Sequence, residues 1–336
     1  MSISDPRARL IIDWLSNTLN LEVTNFEPAS SDASFRRYFR VTHKKGTHIV
    51  MDAPPEKEDI EPFIQVATLF KKVGINVPEI AQQNLDRGFL LLEDFGTLCY
   101  LDRLTDENAA TLYLNAFDSL YEIQTKIVTP NCQLPYYDDE LLRNELNLFF
   151  DWFLEKYLDL SVPEDIKNKT SQILISSALE QPQVCVHRDF HSRNLMALDN
   201  NRPGIIDFQD AVIGPVTYDL VSLLRDCYIA WPQANVQQWM TLYFEQISKL
   251  NLTTASLETF TRWFDLMGLQ RHLKAIGIFS RLHLRDNKSN YLRDIPLTMN
   301  YVVQICNEYP ELKEFNQFLT TTILPGFNKV NSLNLE

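Results

Sequence analysis

The sequence predicts an α+β fold in two lobes, a small N-terminal lobe with a mixed β-sheet and a larger, mostly helical C-terminal lobe. Short strands and turns alternate in the first third of the chain, whereas long helical patterns dominate after residue 106. A fully apolar strand over 89–92 is followed by the polar break Glu93-Asp94-Phe95-Gly96. The break predicts lobes of residues 1–95 and 96–336, each long enough for its own core.

The N-terminal lobe is predicted from turn signals and periodicity. Asp5 and Pro6 form an N-cap and N1 pair that opens a helix through about Leu19. Alternating patterns predict strands over 34–42 and 47–53, and a 3.6-residue period predicts a helix over 60–73 that ends at Gly74.

The C-terminal lobe is predicted from helical periods interrupted by one hairpin. The hairpin comprises an apolar stretch at 195–198, a turn at 200–204 and a second strand at 205–206. The predicted helices span residues 106–125, 138–158, 217–229, 236–250, 257–285 and 299–309.

Composition disfavours several classes of function. The net charge is −13, from 31 Lys and Arg against 44 Asp and Glu, which disfavours nonspecific binding to nucleic acid or to an anionic membrane. The five cysteines are odd in number and contain no C-x-x-C pair, so a disulfide framework or zinc site is not expected. With neither a secretory signal nor a membrane-length apolar run, the sequence predicts a cytoplasmic protein.

The strongest functional signal is H-x-D-x-x-x-x-N, formed by His187, Asp189 and Asn194, followed by Asp207 in an apolar-apolar-D-F stretch. In phosphotransfer, an aspartate orients the acceptor hydroxyl and takes its proton, while an asparagine and a second aspartate hold Mg²⁺. An isolated His-x-Asp is usually structural. Here the positions occur in order within a predicted hairpin, which indicates a bilobal protein-kinase-like fold that uses ATP and Mg²⁺.

Residues 28–37 lead into the first predicted strand, where a phosphate-covering loop is expected, but they contain no glycine. Small side chains allow close backbone approach, although a plain surface turn explains them equally well. The candidate nucleotide contacts in this loop are Ser31, Asp32, Ala33 and Ser34.

Two arginines follow in the first strand. Arg37 shares a face with Phe39 and Val41, and this more apolar face is expected to point toward the nucleotide. Arg37 is therefore the first candidate for a phosphate contact, with Arg36 in reserve. Met51 stands where kinases usually carry a lysine, so an arginine or the metal must supply that charge.

After the apolar strand, adenine is expected to pair with backbone groups. The candidates are Glu93, Asp94 and Phe95, whose side-chain identity matters little for such contacts.

With these residues assembled, the chain resembles the aminoglycoside phosphotransferase/choline kinase superfamily. It is most similar to the anomeric kinases of peptidoglycan recycling, which phosphorylate N-acetylmuramate and N-acetylglucosamine at C1. The resemblance covers nearly the whole chain and is carried by residues 32–40, 49–55, 186–194, 206–211, 214–215, 218–220, 268–274, 281–282 and 285–286. It implies that Asp189 is the catalytic base and that Asn194 and Asp207 bind Mg²⁺. Met51 departs from kinases at large but not from this branch.

An acceptor such as N-acetylmuramate carries a carboxylate, which a basic group should meet. Lys274, Arg281 and Arg285 fall on nearly the same side of the predicted 257–285 helix, with Gln270 and Gly277 close by. A solvated basic face is the ordinary explanation for such a stripe.

Other acceptor candidates lie elsewhere in the sequence. The aromatic residues at 149–153 are typical of a helix core, although Trp152 is a candidate stacking surface for a sugar ring. Gln209 and Asp210 are expected to hydrogen-bond sugar hydroxyls. Asp219 and His191 are expected to brace the catalytic loop.

Competing interpretations remain open from sequence. Another small-molecule kinase of the superfamily, acting on an aminoglycoside, choline or homoserine, shares the same catalytic residues. A pseudokinase is disfavoured by the complete set Asp189, Asn194 and Asp207, and a protein kinase by the lack of a glycine loop and an A-P-E segment. The expected partner is a small-molecule sugar. The acceptor's identity and anomer, ATP versus GTP, protein partners and oligomeric state are not indicated.

Overall fold

The structure is a computed structural model that describes residues 5–30, 35–128, 132–199 and 201–333. The chain forms two compact units, one of Met1–Arg103 with Asn194–Asp210 and one of Leu104–Arg193 with Ala211–Glu336. The catalytic hairpin is therefore grouped with the N-terminal sheet. The lobes of residues 1–95 and 96–336 stay a prediction, and the two compact units divide the chain differently.

The first unit contains a five-stranded sheet in the order β1-β2-β3-β5-β4. Its strands are β1 (Val23–Ser30), β2 (Arg37–His43), β3 (Gly46–Asp52), β4 (Ile80–Asn84) and β5 (Phe89–Glu93). Every pairing is antiparallel, which corrects the expectation of a mixed sheet. The unpredicted β1 extends the sheet beyond β2. The apolar stretch at 89–92 is an internal strand of the sheet, as its composition indicates.

Helices and one hairpin complete the first unit. They are α1 (Pro6–Asp13), α2 (Glu61–Lys72), α3 (Tyr100–Arg103), and the hairpin strands β7 (Leu195–Met196) and β8 (Gly204–Ile205). Asp5 caps α1 by accepting the backbone N–H of Arg7 at 2.9 Å, and a π-helical turn over Trp14–Thr18 prolongs it. The predicted helices that begin at Pro6 and at about Ile60 are thus confirmed within a few residues, as α1 with its π-helical turn and as α2.

The core of this sheet lies on the face covered by α1. Phe39 and Val41 of β2 pack with Ile11, Trp14 and Leu15. The expectation that this face points toward a nucleotide was wrong. Strand alternation separates two faces but does not show which one a helix will cover.

The second unit is helical, with a two-stranded antiparallel pair formed by β6 (Gln183–Val186) and β9 (Val212–Pro215). Its helices are α4 (Ala109–Lys126), α5 (Asp139–Leu148), α6 (Glu164–Leu179), α7 (Tyr218–Leu224), α8 (Gln233–Lys249), α9 (Leu257–Asp286), α10 (Ile295–Glu308), α11 (Lys313–Phe318) and α12 (Leu324–Leu333). The sequence analysis missed α6, α11 and α12. A π-helical segment, Phe149–Tyr157, continues α5.

Helix α9 is the longest, at 30 residues, and is buried along most of its length. A Cβ atom on Gly277 would lie 2.3 Å from the backbone carbonyl carbon of Leu148. Only glycine allows α9 to approach the end of α5 this closely. In the described part of the chain, none of the helices is long and apolar enough to cross a membrane.

Candidate active site

The loop that carries Asp189 leaves β6 and is anchored at its start by a buried carboxylate. Asp219, in the first turn of α7, accepts the backbone N–H groups of His187 at 2.7 Å and Arg188 at 3.0 Å. Arg188 has a left-handed backbone with φ of 77°. Such a conformation is unfavourable for a side chain with a Cβ, and the two bonds to Asp219 hold it in place.

A second carboxylate anchors the end of the loop. Asp226 accepts the backbone N–H of Ser192 at 2.9 Å and also its hydroxyl, and its other oxygen accepts the N–H of Tyr228 at 3.0 Å. His191 meets the edge of the Tyr228 ring. The backbone on either side of Asp189 is thus held by a carboxyl group, at residues 187–188 and at Ser192.

Positive charges keep the proposed base ionised. Burial by itself would raise the pKa of Asp189, but the nearby Lys274, His191 and Arg188 outweigh that effect and lower it. Asp219 behaves in the opposite way. Burial, together with the negative charge of Asp189, raises the pKa of Asp219 to about 7 despite its two backbone hydrogen bonds.

Glu145 of α5 organises the cations around this loop. It pairs with Lys274 Nζ at 2.8 Å, with Arg188, and with the Tyr137 hydroxyl. Lys274 is buried and also donates to the Tyr218 hydroxyl at 3.0 Å. The explanation of Lys274 as part of a solvated face is therefore wrong, although its charge is already matched by Glu145.

The rest of the predicted basic stripe lies elsewhere. Arg285 is exposed and pairs with the neighbouring Asp286 at 2.8 Å, and Arg281 is half-buried. Arg285 follows Lys274 by eleven positions, or roughly 16 Å along a helix. The structure thus does not gather the three cations at one point, and a role in the acceptor site for Arg281 and Arg285 stays a prediction.

Trp152 lies in the π-helical segment after α5. The ammonium of Lys156 sits 3.7 Å from the centre of its ring. The indole face already has a cationic partner, and sugar stacking on it remains a prediction.

The first unit brings together the two predicted metal ligands. Asn194 Nδ2 donates to Asp207 Oδ2 at 3.2 Å, and Ile206 N–H donates to the Asn194 carbonyl at 3.1 Å next to the β7–β8 hairpin. Asp207 also has a left-handed backbone, with φ of 63°. The hairpin predicted from sequence therefore places an amide and a carboxylate side by side.

Gln209 donates to the other oxygen of Asp207 at 2.9 Å and is buried. It was predicted to bind sugar hydroxyls, whereas here its amide orients the Asp207 carboxylate. Asp210 is exposed, and its contact with an acceptor stays a prediction.

The donor set at Asn194 and Asp207 fits Mg²⁺. Over residues 5–30, 35–128, 132–199 and 201–333, the structure contains no cluster of three or more His, Cys, Asp or Glu side chains suited to a metal. Mg²⁺ needs no such cluster, since it commonly takes one or two protein oxygens and completes its shell with water and phosphate.

Comparison with known proteins decides the family. The model of the phosphotransferase enzyme family matches residues 25–248. The chain belongs to this family. The N-acetylmuramate/N-acetylglucosamine kinase of Pseudomonas putida is 42% identical over 329 residues, covering 94% of this chain and 96% of the relative. The kinase of the same name from Pseudomonas aeruginosa is 45% identical, covering 88% and 87%.

Solved structures confirm the protein-kinase-like fold of this phosphotransferase. An ADP-bound aminoglycoside phosphotransferase is 14% identical, with a TM-score of 0.58 over 88% of this chain and 98% of that chain. The choline kinase of Streptococcus pneumoniae is 12% identical, with a TM-score of 0.65 over 89% and 100%. At such low identity these likenesses concern the fold alone.

The phosphotransferase's candidate nucleotide arginines both have carboxylate neighbours. Arg37 pairs with Asp5 and Asp52, and Arg36 lies 3.8 Å from Glu58. The predicted loop contacts Ser31, Asp32, Ala33 and Ser34 lie outside the described residues. The phosphate contacts therefore stay predictions.

Some polar groups at the end of β5 and just after it already take part in hydrogen bonds within the protein. The backbone N–H of Glu93 donates to the Glu79 carbonyl at 2.9 Å, and Asp94 accepts two bonds from Arg40 at 2.8 and 2.9 Å. The Phe95 ring covers Gly204, where an added Cβ would lie 2.5 Å from the ring. A contact between this segment and adenine would thus fall mainly to the backbone of Asp94 and Phe95.

Three residues of the active-site loop region escaped the sequence analysis: Glu145, Asp226 and Arg271. Asp226 and Glu145 are acidic residues in helical patterns, which ordinarily indicate solvent exposure. Only their burial and partners distinguish them from surface charges.

Proposed function

We propose that this phosphotransferase transfers the γ-phosphoryl group of ATP to the C1 hydroxyl of N-acetylmuramate and N-acetylglucosamine. The observation that carries the proposal is the 42–45% identity to kinases of that name, spread over nearly the full length of both chains. The ionised, doubly anchored Asp189 supports the same reaction.

Asp189 acts as the base. Its carboxylate accepts the proton of the C1 hydroxyl as that oxygen forms a bond to the γ-phosphorus and the bond to the leaving ADP breaks. An anomeric hydroxyl belongs to a hemiacetal and is more acidic than an ordinary alcohol. A carboxylate with a low pKa therefore suffices, because its main task is to orient the hydroxyl.

Asn194 and Asp207 would hold Mg²⁺, and Gln209 would keep the Asp207 carboxylate oriented toward it. The ion, when bound, neutralises charge on the phosphate oxygens. Arg36 and residues 31–34 are the proposed phosphate contacts, and residues 93–95 the proposed adenine contacts. Arg37 lies on the face of β2 that packs with Ile11, Trp14 and Leu15 and is not among them. Such a reaction belongs in the cytoplasm, where ATP is available.

A coupled ADP-release assay with Mg·ATP tests the proposal. The acceptor panel is N-acetylmuramate, N-acetylglucosamine, glucose, kanamycin, choline and homoserine, with Asp189→Asn as the inactive control. We expect turnover on the two amino sugars and a product that mild acid hydrolyses but alkali does not, as for a C1 phosphate. Turnover on kanamycin or choline alone would refute the sugar assignment while leaving the catalytic roles in place.

A further inference from the structure

Arg271 lies on α9 one turn before Lys274 and faces the region that anchors the catalytic loop. Its Nη1 lies 3.6 Å from the thiol sulfur of Cys227. Cys227 adjoins Asp226, which holds the end of the loop through Ser192. One turn along α9, Lys274 contacts Glu145, which holds Arg188 at the start of the loop. Arg271 is thus positioned between the two anchors that flank Asp189.

Arg188 and Lys274 each form an ion pair with Glu145, and Arg271 differs from them in this respect. It is 5% exposed. Arginines this buried are ordinarily paired with a carboxylate. Within the part of the chain that the structure describes, the ion pairs do not include Arg271, and its side-chain hydrogen bond is to a thiol, a weak acceptor.

Neighbouring carboxylates are already engaged. Both oxygens of Asp226 accept hydrogen bonds from the loop and from Tyr228 N–H. Glu145 is shared by Lys274, Arg188 and Tyr137. A buried guanidinium that lacks a carboxylate contact, yet is near enough to Asp189 to interact with it electrostatically, is suited to bind an anion brought by the substrate.

We propose that Arg271 binds the lactyl carboxylate of N-acetylmuramate and so determines the preference for this acceptor. The inference rests on the proposed function. In this sugar the lactyl group is attached at C3, and C1 and C3 are separated only by C2. With C1 at Asp189, the carboxylate must lie close to the base, which suits Arg271 and not the exposed Arg285 near the far end of α9. N-acetylglucosamine has no carboxylate and makes no such contact.

The test compares kcat and KM for the two sugars in Arg271→Gln, Arg271→Lys and a matched control, Arg262→Gln. Arg262 lies on the same helix and pairs at the surface with Glu311 at 3.0 Å. In Arg271→Gln we expect kcat/KM for N-acetylmuramate to fall about 10- to 100-fold, chiefly through KM, the size of a lost charge-assisted hydrogen bond. The value for N-acetylglucosamine should change by less than about threefold, Arg271→Lys should recover part of the loss, and Arg262→Gln should alter neither.

A substrate-side experiment begins with the wild-type enzyme, and this part does not depend on the folding of any variant. The methyl ester of the lactyl group removes the substrate's charge, so the wild-type enzyme should use the ester about 10- to 100-fold less well than the acid. In Arg271→Gln the acid and the ester should be used about equally, because the two changes remove the same contact. Thermal unfolding of each variant checks that the fold is intact.

Equal losses with both sugars would overturn the proposal and assign Arg271 to the phosphoryl group or to the loop's structure. So would a wild-type enzyme that uses the acid and its ester equally. Either result, with both sugars still phosphorylated, leaves the proposed function standing. If neither sugar is phosphorylated by the wild-type enzyme, it is the proposed function that fails.

Discussion

The catalytic motif is divided between two compact units that hold their halves by different means. In the second unit, residues 187–193 are fixed by buried carboxylates, Asp219 and Asp226, which accept backbone N–H groups. In the first unit, Asn194 and Asp207 are held by a hairpin and by the amide of Gln209. The base half is held by the carboxyl groups of two side chains, and the metal half by a hairpin and a side-chain amide.

The difference follows from what each half must do. A base has to remain ionised and oriented, so it needs rigid backbone support and surrounding cations such as Lys274. A metal ligand has to keep its oxygens available for a cation, and a neutral amide orients Asp207 without competing with the metal by charge. Disrupting each half should therefore give a different signature.

The largest effect is expected at the base. Asp189→Asn keeps the shape but removes the proton acceptor, so kcat should fall about 10²- to 10⁴-fold. The melting temperature should fall slightly, because the folded state stabilises the ionised carboxylate through Lys274, His191 and Arg188. The coupled ADP-release assay measures the first, and thermal unfolding the second. Residual activity within a few-fold of wild type would show that Asp189 is not the base.

A smaller effect is expected at the metal half. Gln209→Leu leaves Asp207 without its orienting amide, so half-maximal activity should need about 10- to 100-fold more Mg²⁺. At saturating Mg²⁺ the rate should approach that of wild type. A Mg²⁺ titration measures this. A rise in the KM for sugar at an unchanged Mg²⁺ requirement would instead support the sequence prediction that Gln209 contacts the acceptor.

Removing an anchor of the base half should cost stability. Asp219→Ala leaves the backbone N–H groups of His187 and Arg188 without their acceptor. The free energy of unfolding should therefore fall by about 2–4 kcal/mol. Denaturant unfolding measures the loss. Glu314→Ala, which removes an exposed pair with Lys169, should cost about 0.5 kcal/mol or less. Equal costs for the two would contradict the role of Asp219 as an anchor.

The smallest effect is a pH dependence. The folded state raises the pKa of Asp219 from its ordinary 3.8 to about 7, so it keeps a proton that the unfolded chain has lost. This contribution to stability is fully present below about pH 4, and it is lost as the pH rises from about 4 through about 7. Wild type should thus lose more stability than Asp219→Ala between pH 5 and 8, as measured by melting temperature. Parallel curves would show that Asp219 is ionised throughout.

Much of the fold could be predicted because its signals are local. The Asp5–Pro6 helix start, the Gly74 helix stop and the apolar strand at 89–92 each depend on neighbours in sequence, and all three are found in the structure. Helix α6 was missed because its apolar residues are spread around the helix and do not form one clear apolar face. Strand β1 was missed because Pro28 interrupts its pattern.

The candidate site follows the same division. The spacing of Asp189, Asn194 and Asp207 was evident, since one loop and one hairpin carry all three. The partners of these residues were not, because Glu145, Asp226 and Arg271 come from helices distant in sequence. The prediction of which face of β2 points toward the nucleotide was wrong for the same reason, because α1 covers that face.

The sequence by itself determined the fold class, the catalytic motif and the family resemblance, since each resides in contiguous residues or fixed spacings. Only the tertiary structure decided which charges are matched. Lys274 and Arg271 are one turn apart and look equivalent in sequence, yet Glu145 pairs with Lys274, while Arg271 has a thiol as its hydrogen-bond partner. The free energy of a buried charge depends on the groups packed around it, and those groups are brought together by folding rather than by sequence order.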